Sequence, residues 1–87
     1  MKTICFDPQK RDKLIEERWI DLYLVACMIQ EGKILDDVPH PTRDNQRIFI
    51  IVYDWYPCKI PYVENETEIF IKTAFQDRTL KKFYSLP

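Results

Sequence analysis

The fold of this chain is decided by the stretch RIFIIVYDW, Arg47–Trp55. Its six consecutive β-branched or aromatic residues, 48–53, are typical of a central strand that is covered on both faces. Further strands are predicted at 58–63 and 68–75, after turns at 56–57 and 64–67. In the first of them, Pro61 indicates a bulge or an edge position.

The last predicted strand, residues 68–75, divides its side chains between two faces because successive strand residues point in opposite directions. Lys72 shares one face with Phe70 and Ala74. The opposite face carries Ile69, Ile71, Thr73 and Phe75. A lysine therefore interrupts an otherwise apolar strand.

Two helices are predicted upstream of the central strand. Thr3–Phe6 forms a short first strand, and Asp7, followed by proline, is an acidic N-cap for a helix that ends near Arg18. Asp21 is a second N-cap. Behind it, apolar residues at i, i+3, i+4 and i+7 predict an amphipathic helix, which ends where Gly32 provides a C-terminal cap.

After the helices the pattern becomes extended. Residues 34–36 lead into a polar loop at 38–46, and a final helical turn is expected within 79–84. The order is therefore β-α-α-β-β-β with a short C-terminal helix. It predicts an α+β fold in which two helices pack on one face of a small antiparallel sheet. The chain length makes residues 1–87 a single domain.

Composition narrows the function classes. With 46% hydrophobic residues and a formal net charge of −1, the chain is a folded globule whose RNA contacts would need a local basic patch. The three cysteines are widely spaced and favour reduced thiols over disulfides. We expect no metal site and no cofactor, because the close ligand pairs of structural zinc sites are missing. No apolar stretch approaches the roughly 20 residues of a membrane helix, so no membrane contact is expected. The reduced cysteines fit a cytoplasmic location, which we expect for this chain.

Short motifs along the chain form an ordered series. Phe6-Asp7-Pro8 with Lys10 and the later Ile20-Asp21-Leu22 resemble the F-D-P-x-K start and the V-S-F segment of the BrnT toxin family. A branch of that family continues with E-G-x-L-L-D, H-P, N-Q-R-I-F-I, V-P-F-V-E, I-F-L-K-T and S-R-K. The corresponding segments here are Glu31–Asp36, His40-Pro41, Asn45–Ile50, Ile60–Glu64, Ile69–Thr73 and Asp77–Thr79.

This resemblance covers almost the whole chain and implies a RelE-like fold. It also implies the toxin of a type II toxin–antitoxin system, a metal-independent ribonuclease that inhibits translation by acting on RNA, free or on the ribosome. The partner would be a cognate antitoxin, commonly a small DNA-binding protein, so that operator DNA is contacted only through the antitoxin. The chain departs from better-known members at Phe75 and Gln76, where those members carry arginines.

Ribonuclease chemistry of this kind needs a base for the ribose 2′-OH and cations for the charge that develops on the phosphate. Lys72, Arg47 and Arg78 are the predicted catalytic cations. Arginine offers two parallel hydrogen bonds to phosphate, and lysine offers a point charge. Alternatively, Lys72 is a solvated strand lysine, and Arg47 is a strand-end charge paired with Asp36 or Asp37.

The other predicted contacts to RNA are a histidine, two lysines and two tyrosines. His40 is the candidate acid–base group, since histidine is the side chain that most readily exchanges a proton near neutral pH. Its proline neighbours also fit a rigid loop residue. Lys81 and Lys82 are expected to bind the RNA backbone, and Tyr62 and Tyr84 to stack on bases. The alternative for the two lysines is a solvated C-terminal tail, and the alternative for the two tyrosines is a position in the core or in an interface.

The remaining candidates are aromatic residues near turns and near the C-terminus. Trp55, Tyr56 and Phe83 are predicted to bind the partner, because exposed aromatic clusters usually mark protein interfaces. An alternative function stays open beside the ribonuclease. It is a noncatalytic protein-interaction module that keeps the fold and the partner surface.

Overall fold

Six strands and three helices form within residues 2–86, the part of the chain that the computed structural model describes. The helices are α1 (Pro8–Arg18), α2 (Leu22–Gln30) and α3 (Leu80–Phe83). The strands are β1 (Thr3–Cys5), β2 (Asp36–Pro39), β3 (Arg47–Tyr53), β4 (Tyr56–Glu64), β5 (Glu68–Ile71) and β6 (Phe75–Gln76). The predicted α+β class is confirmed, and the central strand is β3.

The strands form one sheet in the order β1-β5-β4-β3-β2, and β6 also pairs with β4. The pairs among β2 to β6 are antiparallel, but β1 runs parallel to β5. The expectation of a purely antiparallel sheet was therefore wrong at this edge. A parallel pair needs a long connection, and here both helices and three strands lie between the two partners.

Both helices begin and end where local signals predict. The side chains of Asp7 and Asp21 each accept a hydrogen bond of 2.9 Å from the backbone N–H two residues later. Gly32 follows α2 with a φ of +78°, a left-handed conformation that glycine adopts without strain. The bounds of these two helices thus follow from local sequence signals.

The main core lies between the two long helices and one face of the sheet. Its side chains are 8% exposed or less. They are Leu14, Ile20, Leu22, Val25, Ala26 and Ile29 from the helical segment, and Phe49, Ile51, Cys58, Ile60, Tyr62, Ile71 and Ala74 from the sheet. Among the described residues, no helix is both long enough and apolar enough to cross a membrane.

A second, smaller core lies on the opposite face of the sheet, away from the two long helices. Leu80 of α3 packs against Ile48 and Ile50, and Val38 and Tyr84 pack beside them. The short C-terminal helix therefore covers the middle of this face. The part over β5 stays exposed, as at Phe70.

The hairpin between β3 and β4 turns at Asp54 and Trp55, whose φ angles are +50° and +71°. Positive φ at both central positions defines a type I′ turn, which normally contains Asn-Gly or Asp-Gly. The predicted turn at Tyr56-Pro57 was wrong, because Tyr56 already pairs with Tyr53 inside the ladder. The observed turn at Asp54 and Trp55 leaves the Trp55 side chain 85% exposed.

The predicted last strand, residues 68–75, is interrupted. Ile71 pairs with Tyr62, whereas Phe75 pairs with Lys59. Four steps along this strand therefore match three steps along β4, so that one residue is extra, as in a β-bulge. The interruption separates β5 from β6.

Pro61 of β4 explains the position of this bulge. Its carbonyl accepts a hydrogen bond from the N–H of Lys72 at 2.8 Å, so the missing N–H of the proline faces the same strand. The ladder to β3 stays intact, as Pro61 pairs with Ile48 there. The extra residue also changes the alternation: Ala74 is buried in the main core with Ile71, although the sequence pattern had placed these two residues on opposite faces.

Replacement Asp21→Asn is expected to lower the free energy of unfolding by about 1 kcal/mol at about pH 7. Asparagine keeps the helix cap but cannot pair with Arg11, whose Nε and Nη2 lie 2.7 and 3.1 Å from the carboxylate. The hydrogen bond from Arg11 lowers the pKa of Asp21. The stabilisation is therefore present above the ordinary aspartate pKa and is lost as pH falls through the lowered value.

Urea unfolding at about pH 7 and about pH 2.5 measures this difference, which should nearly vanish at the lower pH. Asp7→Asn is the matched control, because Asp7 caps α1 in the same way. In the described structure Asp7 has no cationic partner. An equal loss for both variants at both pH values would contradict the assignment.

Candidate functional site

Arg47, Asp37 and Tyr62 form a hydrogen-bonded cluster on the helix-covered face, where β2, β3 and β4 lie side by side. Arg47 donates from Nε to the Asp37 carboxylate at 3.1 Å and from Nη2 to the Asp37 carbonyl at 2.9 Å. Tyr62 donates its hydroxyl to the same carboxylate at 2.7 Å. The alternative in which Arg47 pairs with a neighbouring aspartate is confirmed, and Asp37 is the partner.

Tyr62 is a core residue and cannot stack on RNA bases. It is 2% exposed, and its ring stacks on Phe49 with a centroid distance of 3.9 Å. Burial, together with the hydrogen bond to Asp37, raises the pKa of Tyr62. The hydroxyl therefore remains protonated and continues to donate to Asp37. The predicted RNA contact through this tyrosine was wrong, because both faces of its ring are enclosed.

His40 lies in the loop between β2 and β3. It directly follows Pro39, the last residue of β2, which pairs with Arg47. Its Nδ1 accepts hydrogen bonds from the backbone N–H groups of Thr42 and Arg43, each at 3.2 Å. Because Nδ1 is used as an acceptor, the neutral ring carries its proton on Nε2. In this arrangement His40 closes the loop and has an Nε2–H donor rather than a free base.

Lys72 lies on the other face of the sheet from Arg47. Its Nζ is 5.7 Å from the centroid of the Phe70 ring, a cation–π distance, and the side chain is exposed. Arg47 instead shares its face with Phe49, which belongs to the main core. The structure therefore does not bring Arg47 and Lys72 together around one phosphate.

Lys72, Arg78, Lys81 and Lys82 belong to residues 72–82, which we call the C-terminal basic segment. It contains these four cations and one carboxylate, so its net charge is +3 in a chain of net charge −1. The four cations form no salt bridge among the described residues 2–86. Positive charge is therefore concentrated in this stretch of the sequence.

Two further contacts fix the geometry of this segment. Its carboxylate, Asp77, lies 3.2 Å from Nζ of Lys59, outside the segment, and so compensates a different cation. Hydrogen bonds from Thr79 and Lys59 lower the pKa of Asp77, which keeps it charged. Nζ of Lys81 lies 4.7 Å from the Tyr56 ring centroid. One cation of the segment, Lys81, thus lies beside an aromatic ring of β4.

Tyr84 connects the end of this region to β2. Its hydroxyl donates to the Asp36 carboxylate at 2.6 Å, and this bond raises the pKa of Tyr84 to about 12. The ring also makes an edge contact with Phe83 at 4.9 Å. Base stacking by Tyr84, which is half-buried, remains a prediction.

The exposed aromatic side chains were only partly predicted. Trp55, Tyr56 and Phe83 are 85%, 38% and 78% exposed, and their binding to a partner remains a prediction. Sequence reasoning missed Trp19, which is 83% exposed and caps the end of α1 with a φ of +59°. The signal for Trp19 was its position between two helices, just outside the amphipathic pattern of each.

Comparisons of the chain with protein-family models, with curated proteins and with solved structures found no match. These comparisons therefore assign neither a family nor a function to the chain.

Proposed function

We propose that this chain is a cytoplasmic toxin of a type II toxin–antitoxin pair, which binds RNA through the C-terminal basic segment and cleaves it without a metal ion. The observation that supports RNA binding is the net charge of +3 in this segment, whose four cations form no salt bridge with a carboxylate of residues 2–86. RNA phosphates supply the missing anions, and their counterions are released on binding. The type of protein is proposed from the ordered motifs that resemble the BrnT family.

The chemistry assigned to this surface is electrostatic. Negative charge accumulates on the phosphate in the transition state, and Lys72 and Arg78 would stabilise it. The rings of Phe70 and Tyr56, beside Lys72 and Lys81, are 37% and 38% exposed, and bases would stack on their accessible parts. Attack of the 2′-oxygen on phosphorus would break the bond from phosphorus to the 5′-oxygen. Because Nδ1 of His40 already accepts two hydrogen bonds, solvent water would take the 2′ proton and protonate the leaving 5′-oxygen.

One observation favours the noncatalytic alternative. Arg47 is held by the side chain and the carbonyl of Asp37 and lies on the opposite face from Lys72. A protein that binds RNA or a partner through the basic segment needs no such second cation. In this alternative the chain keeps the fold and the interaction surface but does not cleave.

The double replacement Lys72→Ala, Arg78→Ala is expected to weaken binding of a labelled single-stranded RNA roughly tenfold at about 0.1 M salt. Two phosphate contacts are lost, so the slope of log K against log salt should fall by about 1.5. Lys10→Ala, Lys13→Ala is the matched control, since these α1 lysines form no salt bridge within residues 2–86. The control should bind RNA like the unchanged protein.

Induced expression then separates the two functions. The Lys72→Ala, Arg78→Ala protein is the basic-segment variant. A toxin with an antitoxin is supported if the unchanged protein arrests growth, if the basic-segment variant does not, and if co-expression of the adjacent small open reading frame prevents the arrest. RNA binding without cleavage or arrest supports the noncatalytic alternative. Equal RNA binding by the basic-segment variant and the unchanged protein would overturn the proposal.

A further inference from the structure

An apolar surface lies on the helix side of the molecule, away from the basic segment. The nine residues of α2, LYLVACMIQ, include no charged side chain. Tyr23 and Leu24 point outward and are 55% and 48% exposed. An amphipathic surface helix normally presents polar residues to water, so this outer face of α2 is unusual.

This surface is concave beside Trp19. A groove of about 430 Å³ runs between α2 and the β3–β4 hairpin. We call it the α2 groove, and it is lined by Trp19, Leu24, Cys27, Met28, Glu31, Tyr53 and Asp54. Trp19 and Asp54 both have positive φ angles, +59° and +50°. Two residues with left-handed backbone thus flank the groove, a conformation that aspartate tolerates at such a turn and that is unfavourable for tryptophan.

The charge of the α2 groove selects its occupant. The lining has two carboxylates, Asp54 and Glu31, and no cation. Glu31 has only a long contact of 3.8 Å with Lys33, whose side chain is 64% exposed. Asp54 has no partner among the described residues. An apolar floor with an acidic rim complements a ligand that is apolar in the middle and basic at its edge.

A second copy of this chain fits the α2 groove less well. A two-fold interface places the same surface of each copy against the other, so the acidic rims would lie close together. Like charges that are brought together in an interface destabilise it. The same electrostatic argument favours a different protein with basic residues.

We propose that the α2 groove binds an amphipathic helix of a partner protein whose lysine or arginine residues flank its apolar face. The apolar residues of that helix would pack against Leu24 and Met28, as helices pack in a hydrophobic groove. One basic residue would lie beside Asp54, and the exposed Trp19 ring offers a face for another. This surface is independent of RNA cleavage by the basic segment.

The experiment uses two synthetic helical peptides of about 16 residues, one of leucine and lysine and one of leucine and glutamate at the same spacing. The protein has two tryptophans, so Trp55→Phe leaves Trp19 as the only fluorescent reporter of its kind. The leucine–lysine peptide should shift the Trp19 emission to shorter wavelength with saturation. The leucine–glutamate peptide should bind at least about tenfold more weakly.

Variants locate the binding. Leu24→Glu should abolish saturable binding. Asp54→Asn should weaken it about threefold, because the carboxylate charge is lost while asparagine still tolerates the positive φ at this turn. Ile15→Glu, at an exposed apolar side chain of α1 outside the groove lining, is the control and should bind like the unchanged protein. Circular dichroism verifies that each variant is folded.

Three results would overturn the proposal. The first is equal binding of the two peptides, and the second is binding that Leu24→Glu leaves unchanged. The third is sedimentation of the free protein as a dimer that Leu24→Glu dissociates, which would assign the α2 groove to a second copy. Absence of RNA binding would leave this inference intact, because the peptide titration contains no RNA.

Discussion

Replacing Ile60 with alanine is expected to lower the free energy of unfolding by about 3–4 kcal/mol. Ile60 is 0% exposed and lies in the middle of β4, between β3 and the interrupted strand β5–β6. Its removed carbons leave a cavity that a sheet paired on both sides cannot close. A domain of this size has a stability of about 5–15 kcal/mol, so the variant loses a large part of it.

Urea unfolding monitored by circular dichroism measures this loss as a shift in the midpoint at constant slope. Ile15→Ala is the matched control, because it is the same chemical change at a side chain that is 39% exposed on α1. We expect the control to cost less than about 1 kcal/mol. Equal losses for the two isoleucines would show that β4 is not the centre of the core.

Replacing Asp37 with alanine is expected to cost about 2 kcal/mol, more than the loss of an ordinary surface ion pair. Asp37 is the acceptor for Arg47 and for the hydroxyl of Tyr62. Without it, the Tyr62 hydroxyl, on a residue that is 2% exposed, loses the acceptor it has in the folded chain. An unsatisfied buried donor costs its full desolvation, whereas an exposed arginine is simply rehydrated.

A double-mutant cycle isolates this contribution. Tyr62→Phe alone should cost about 1 kcal/mol, but in the Asp37→Ala background it should cost nothing or even stabilise, because the orphaned hydroxyl is gone. Asp36→Ala is the control, since Asp36 accepts from Tyr84, which is only half-buried, and should cost about half as much as Asp37→Ala. Strict additivity of the Asp37 and Tyr62 losses would contradict the cluster.

Sequence reasoning succeeded where the signal is local. The caps at Asp7, Asp21 and Gly32 depend on residues within one helical turn, and each is found where the pattern predicts it. The turn at Asp54-Trp55 was missed, since tryptophan disfavours the positive φ that a type I′ turn requires. There the pairing of β3 with β4 overrides the local preference.

The remaining differences come from contacts between distant residues. Pro61 did signal a bulge, but the extra residue lies on the neighbouring strand, where a single-strand pattern cannot place it. The alternation around Ala74 failed for the same reason. The parallel position of β1 likewise depends on a partner at the other end of the sequence.

The candidate site shows the same division. The positive charge of residues 72–82 can be read directly from their sequence. The pairing of Arg47 with a neighbouring aspartate was one of the two interpretations that the sequence left open. That Arg47 and Lys72 lie on opposite faces depends on how β3 and β5 are oriented around β4, which no local pattern contains. The α2 groove was missed because its lining comes from three separate segments of the chain.

The pairing of β1 with β5 also determines when this protein completes its structure during synthesis. The first strand leaves the ribosome long before residues 68–70, which are its only partners in the sheet among the described residues. Until then β1 has no partner strand, whereas the helices can already pack on β3 and β4, which supply most of the sheet side of the main core. Pairing of β1 is therefore the late event, because it joins residues far apart in the sequence. In a fragment of the chain that lacks β5, strand β1 would lose the strand with which it pairs.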